Sequence, residues 1–280
     1  MTESELKASN PWIEVANMLN PEESDCLFRD PNKEWYVCSK DKEGIIDFNK
    51  KCDKDKDYTD CIITNTPPEP WKGNPLHANV IVLSLNPGFS PEINETLAKL
   101  LQSNETIRKG LVKFRQETLL LEEDSFLPTN ERKSPISIKE AEDMLQVWYW
   151  SKRFKTLITD VKLEETEFYK KVALIEYHGY SSKTSTRGFP FEILPSQEFT
   201  IKLIKYIATK NDVCFLIMRS KDKWEKLLNS DGNNLWNKLD KQGKLIYRNN
   251  LGRSQYITKE NLKDCNCGNG YKKIMEALKG

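Results

Sequence analysis

Residues 80–85 form an apolar run interrupted only by Ser84, and the run stops abruptly at Asn86-Pro87-Gly88. Bounded by turn residues, it fits a strand buried on both faces of a parallel sheet. Three further short runs repeat the pattern, at 172–176, 213–218 and 244–248. Helical stretches separate them: residues 91–122, 138–159 and 196–210, then a short one at 224–228. The third of these has Ser196 to cap it after Pro195, with Glu198 close behind. Strands alternating with helices predict an α/β fold, three layers α/β/α around a central four-stranded, mainly parallel sheet.

Residues 1–70 read as a mostly polar N-terminal extension packing on the core, and residues 71–280 as the α/β domain. In the extension, Asn10-Pro11 and Asn20-Pro21 flank a short helical pattern. Residues 64–70 make a proline-rich connection into Trp71. The aspartates among residues 50–58 lack the spacing and closing Glu of a calcium loop.

A chain of 280 residues can bury one sizeable core, and 38% hydrophobic with 30% charged residues describes a globular protein. No run approaches the ~18 apolar residues of a membrane span. The start, Met1 to Trp12, lacks the basic-then-apolar order of a signal peptide, so an intracellular, cytoplasmic protein is expected. The net charge of +1 conceals an asymmetry. Residues 201–280 hold 17 Lys/Arg against 8 Asp/Glu, while residues 1–200 hold 26 against 34. A basic C-terminal portion suits phosphate contacts, or a lysine-rich solvated surface.

Cys26, Cys38, Cys52 and Cys61 leave a zinc or iron–sulfur site open, although no CxxC pair gives them close ligand spacing. Neither metal nor cofactor is expected. Cys214 reads as core and His77 as surface. GxSxG, Walker A and GxGxxG motifs are absent, which argues against common hydrolase and nucleotide-binding classes.

All four strands end in polar or aromatic groups: Asn86, Tyr177 with His178, Arg219 and Asn249. Open α/β sheets bind ligands at this carboxyl edge. Pro87 fixes φ and Gly88 lets a ligand approach closely. The alternative is that these residues cap strands and bond loop backbone. Phe89 and Tyr177 can each stack on a ligand or anchor the fold. Residues 181–195 read as a loop over the cleft, with Lys183 and Arg187 available for phosphates.

The segment LNPGFS at 85–90 resembles the first active-site motif of the uracil-DNA glycosylase superfamily, in its Asn-Pro-Gly mismatch-specific and single-strand-selective form. Residues 249–254, NNLGRS, are similar to its closing motif, with Asn249 first, Gly252 in the spacer and Arg253 as the wedge. Asn250 and Leu251 stand where the family has Pro and Ser. Pro68–Pro70, Gly73–Pro75 and Leu194–Gln197 also resemble a bacterial subgroup.

The resemblance implies a uracil-DNA glycosylase-like fold and a monofunctional DNA glycosylase that flips out and excises a damaged, mismatched or modified base. Asn86 and Asn249 would be catalytic. Pro87, Gly88, Phe89, Tyr177 and His178 would hold the base. Arg253, Ser254, Arg219, Lys221, Lys183 and Arg187 would contact DNA, the one partner implied. Distant members of the superfamily excise bulky modified phage bases, and a long loop over the pocket is compatible with such antiviral defence. The departures at Asn250 and Leu251 leave a second reading, a catalytically inactive nucleic-acid-binding module.

Overall fold

The structure is a computed structural model that describes residues 1–30, 33, 35–51, 61–88, 91–124, 126, 147–182, 193–230, 232, 234–247 and 256–280. Five strands make one mixed, mostly parallel sheet: β1 Trp71–Lys72, β2 Val80–Ser84, β3 Val172–Glu176, β4 Cys214–Ile217 and β5 Leu245–Ile246. Their order is β1-β3-β2-β4-β5. The four parallel strands coincide with the four apolar runs. β2 pairs in register with β3 from Val80↔Val172 to Ser84↔Glu176, and with β4 from Val80↔Cys214.

The expectation of four strands is corrected by β1, which pairs antiparallel with the edge of β3. Two residues cannot display a period, so the sequence carries no sign of this strand. Gly73 closes it with φ +67, where a Cβ would stand 2.9 Å from the Val172 carbonyl oxygen. Only glycine fits both demands.

Every side chain of β2, β3 and β4 is buried. Alternate residues enter two separate apolar clusters. Ile81, Leu83, Ile175, Phe215 and Ile217 join one, and Val80, Val82, Leu174, Leu216 and Ile246 the other. That is why these strands read as continuous rather than alternating apolar runs.

The first cluster also takes side chains from α1 (Glu3–Ala8), α2 (Ile13–Asn17), α3 (Lys42–Lys51), α4 (Pro91–Ser103) and α5 (Glu105–Leu119). Further along the chain, α6 (Val147–Val161) and α7 (Glu165–Lys171) pack in the second cluster, whereas α8 (Pro195–Ile207), α9 (Lys221–Asn229) and α10 (Leu235–Lys241) return to the first. The last helix, α11 (Gly270–Lys279), belongs to the second. Trp150 is buried on α6 against Phe126 and Phe154. Cys214 is buried in β4 and His77 is exposed beside Asp124. Residues 138–146 of the expected helix lie outside the described residues.

Candidate functional site

The carboxyl edge of the sheet is where the expected site residues can be compared. Beyond β2 and β3 the two chains stay side by side. The Tyr177 amide donates to the Ser84 carbonyl (3.2 Å), His178 to Leu85 (2.9 Å) and Ser182 to Pro87 (3.3 Å). Gly88 and Ser182 form a parallel bridge. Residues 84–88 and 177–182 thus make a stiff paired extension of the sheet, with Asn86 on it.

Asn86 is half-buried. Its Nδ2 donates to the Ser182 hydroxyl oxygen (2.8 Å) and to the Pro87 carbonyl (3.1 Å). A carbonyl can only accept, so the nitrogen must face Pro87 and the amide orientation is fixed. The Oδ1 is left with no hydrogen bond among the described residues. Ser182, 1% exposed, is the device that holds it. Nothing in the sequence marks this serine among its neighbours, and it was missed.

One residue back along β3, Glu176 is 5% exposed and its Oε2 makes no hydrogen bond among the described residues. Burial pushes its carboxyl up to about 8, against a hydrogen bond from Ser84 and the positive charges of Lys72 and Arg219. The group is an uncharged acid at neutral pH. Sequence reading passed over it because a glutamate closing an apolar strand looks like an exit residue.

Nearby, Glu69 takes the opposite state. Burial pushes it upward, but Arg115 and Lys72, the latter at 2.7 Å, outweigh that and bring its carboxyl down to about 2. The Glu176 amide donates to Pro70 O (2.9 Å) and the Glu69 amide to Gly179 O (2.7 Å), so the Pro-Glu-Pro segment is clamped to the exit of β3.

Tyr177 and His178 are both buried. The Tyr177 ring meets Trp224 edge-on at 5.4 Å and His178 at 4.7 Å. Lys223 Nζ lies 5.6 Å from the centre of the Tyr177 ring. Burial, then the charge of Lys223, pushes the His178 imidazole down to about 3, so it is neutral at physiological pH. Lys223 is itself lowered by burial. It too was missed, one position from the Trp224 that packs beneath the strand end and donates Nε1–H to Ser84 O (2.7 Å).

Gln197 accepts from the Leu194 amide and donates to the Tyr177 carbonyl, both at 2.7 Å. The Leu-Pro-Ser-Gln segment therefore braces the exit of β3. Arg219 follows β4 and is exposed, and Ser220 after it adopts left-handed backbone (φ 55) at the start of α9. Lys221 is held by Glu225 (2.9 Å) with its ammonium 5.0 Å from the Tyr247 ring centre and 5.4 Å from that of Trp236.

The structure thus brings Asn86, Pro87, Gly88, Tyr177 and His178 to one paired segment and places Arg219 and Lys221 after the neighbouring strand. Phe89, Lys183, Arg187, Asn249, Arg253 and Ser254 lie outside the described residues. Among the described residues no group of histidine, cysteine and acidic side chains could hold a metal, and no helix is long and apolar enough to cross a membrane. Cys26, Cys38 and Cys61 are free thiols in the core. Comparison of the chain with protein-family models, curated proteins and solved structures returned no match.

Proposed function

We propose that the chain is a uracil-DNA glycosylase-like three-layer α/β/α enzyme that excises a damaged, mismatched or modified base from DNA and leaves an abasic site. The observation that carries this reading is the fixed carboxamide of Asn86 at the carboxyl edge. With Nδ2 held by Ser182 and Pro87, Oδ1 is available to accept a hydrogen bond from the attacking water. Cleavage of the bond to C1′ sends its electron pair to the departing base and leaves a cation-like sugar, to which that water adds. A carboxamide orients water without taking its proton, so this chemistry suits a base that already leaves readily. Glu176, uncharged at neutral pH, supplies a proton-bearing group at the same edge. Asn249 would steady the base or sugar and Arg253 would fill the gap in the duplex, as the resemblance implies. Among the possible bases a modified one, including modified cytosine of phage DNA, fits the departures at Asn250 and Leu251.

The test is mass spectrometry of bases released from natural, uracil-containing and phage DNAs, with abasic sites read by alkaline cleavage. One base class is expected. No release from any DNA overturns the enzyme reading. The burial of Tyr177 and His178, which leaves neither ring at the surface, favours a second reading: the same fold binding nucleic acid without chemistry. DNA retention with no abasic sites would identify it.

A further inference from the structure

Three lysines of the basic C-terminal portion meet a fourth, from the end of α6, in one groove. An open groove of about 810 Å³ lies between the end of α6, the loop after residue 256 and the start of α11. Lys162, Lys259, Lys263 and Lys272 line it, with Asp160 as the one acid among the lining residues. Asp160 is already engaged: its Oδ2 accepts from Tyr271 OH (2.9 Å) and lies 3.5 Å from Lys259 Nζ. Lys162 and Lys263 are exposed and have no acidic side chain within ion-pair distance among the described residues.

A second, independent feature lies at the start of the loop that carries Lys259 and Lys263, outside the residues that line the groove. Tyr256, 49% exposed, is one of three large apolar side chains on the described surface, and the others are methionines near the N-terminus. Its ring lies 6.0 Å from the Arg153 guanidinium, and its carbonyl accepts from Asn261 Nδ2 (2.8 Å), which fixes the backbone. The groove is also tied to the carboxyl edge of the sheet. Tyr247, just past β5, exchanges hydrogen bonds with Asn266 (2.9 Å each way). Gly270, at the start of α11, packs so closely on Ile246 that a Cβ would stand 2.6 Å from Cγ2.

We infer that this groove is a binding track for a single nucleic-acid strand, with phosphates on Lys162, Lys263, Lys259 and Lys272 and an unpaired base stacked on Tyr256. Lys259 pairs with Asp160 and Lys272 with Glu276 (3.6 Å), which leaves Lys162 and Lys263 as the lysines without an acidic partner among the described residues to meet phosphates. An exposed ring beside an arginine matches a base face. An acidic protein surface would use the lysines alone and leave the ring idle. The inference rests on the glycosylase reading for the choice of DNA and extends it, since the start of α11 packs on Ile246 of β5 at the same sheet.

The probe is a fluorescent 12-nucleotide oligothymidylate followed by anisotropy from low to moderate salt. Each phosphate contact on a single strand contributes a slope of about 0.7 in log affinity against log salt. Lys162→Glu with Lys263→Glu is expected to lower the slope by roughly 1.4 for two contacts and to weaken binding at least tenfold. Tyr256→Ala is expected to weaken binding by roughly 10- to 100-fold at every salt with the slope unchanged. Both variants replace exposed side chains, and unchanged melting curves establish that the fold is kept. Failure of the wild-type chain to bind, or wild-type binding by both variants, overturns the track. If bases are released while both variants bind normally, the track alone falls. If the variants behave as expected and no base is released, excision alone falls.

Discussion

Asn86 and Glu176 stand at the ends of adjacent strands and carry opposite kinds of consequence. Replacing Asn86 by Ala removes the group proposed to place the water, and because Asn86 is itself half-buried, water can enter the space it leaves and bond the buried Ser182 hydroxyl and Pro87 carbonyl. Base release is therefore expected to fall by about 10²–10³-fold, in the range for a lost preorganised polar contact, with the melting temperature little changed. Abasic-site formation by the purified variant at the wild-type rate would remove Asn86 from the chemistry. Glu176, the proton-bearing group at the same edge, also acts on stability. Its folded-state carboxyl holds a proton to about 8, whereas an unfolded glutamate releases it near its ordinary value of 4.5. Between those values the native state binds the extra proton, so stability falls as pH rises, by at most about 1.4 kcal/mol per pH unit from this group. Glu176→Gln keeps the shape and abolishes the titration. Urea melts should show the variant gaining on wild type from pH 5 to pH 8, and parallel pH profiles would mean that the group is not held neutral.

At the scale of elements, the exit of β3 is held by braces that a pattern search cannot see. Gln197 satisfies one buried amide and one buried carbonyl on two different segments. Gln197→Ala leaves both without that partner, at about 1–3 kcal/mol for each group that stays buried, so a loss of about 2–6 kcal/mol is expected in chemical denaturation. Tyr177, whose carbonyl is one of the two, should then exchange its environment, and its fluorescence transfer to Trp224 should fall. A loss under 1 kcal/mol would mean that water enters and replaces the brace. The four parallel strands were legible because residues buried on both faces leave continuous apolar runs ending in turn residues. Strand β1 was not, being two residues long, and neither was α10, whose Leu235, Trp236 and Leu239 sit among lysines and asparagines. The site was legible to the extent that strand ends collect ligands. What failed to show was contact made at long range: Ser182 under Asn86, Arg115 against Glu69, Lys221 drawn over Tyr247 and Trp236 rather than standing free.

For the whole molecule, the open issue is whether residues ahead of the sheet are an appendage or part of what folds. Leu6, Trp12, Val15, Leu19, Leu27, Tyr36 and Val37 are buried in the same apolar cluster as Ile81, Ile175 and Phe215. Asp41 accepts hydrogen bonds from Tyr180 OH (2.8 Å) and the Ser196 amide (2.9 Å), which ties the extension to the exit of β3 and the start of α8. Trp12 also meets Tyr180 edge-on at 5.2 Å. Burying a large apolar side chain stabilises by roughly 1.5–3 kcal/mol, and whole domains are stable by only about 5–15 kcal/mol. Seven such side chains together reach or exceed that margin. A chain starting at residue 42 is therefore expected to lose cooperative unfolding, bind hydrophobic dyes and elute as aggregate or expanded monomer, rather than to melt a few degrees lower. A truncated chain with a sharp thermal transition and wild-type base release would show that residues 1–41 are separable. The core would then have to close over Ile81 and Phe215 with the helices that remain.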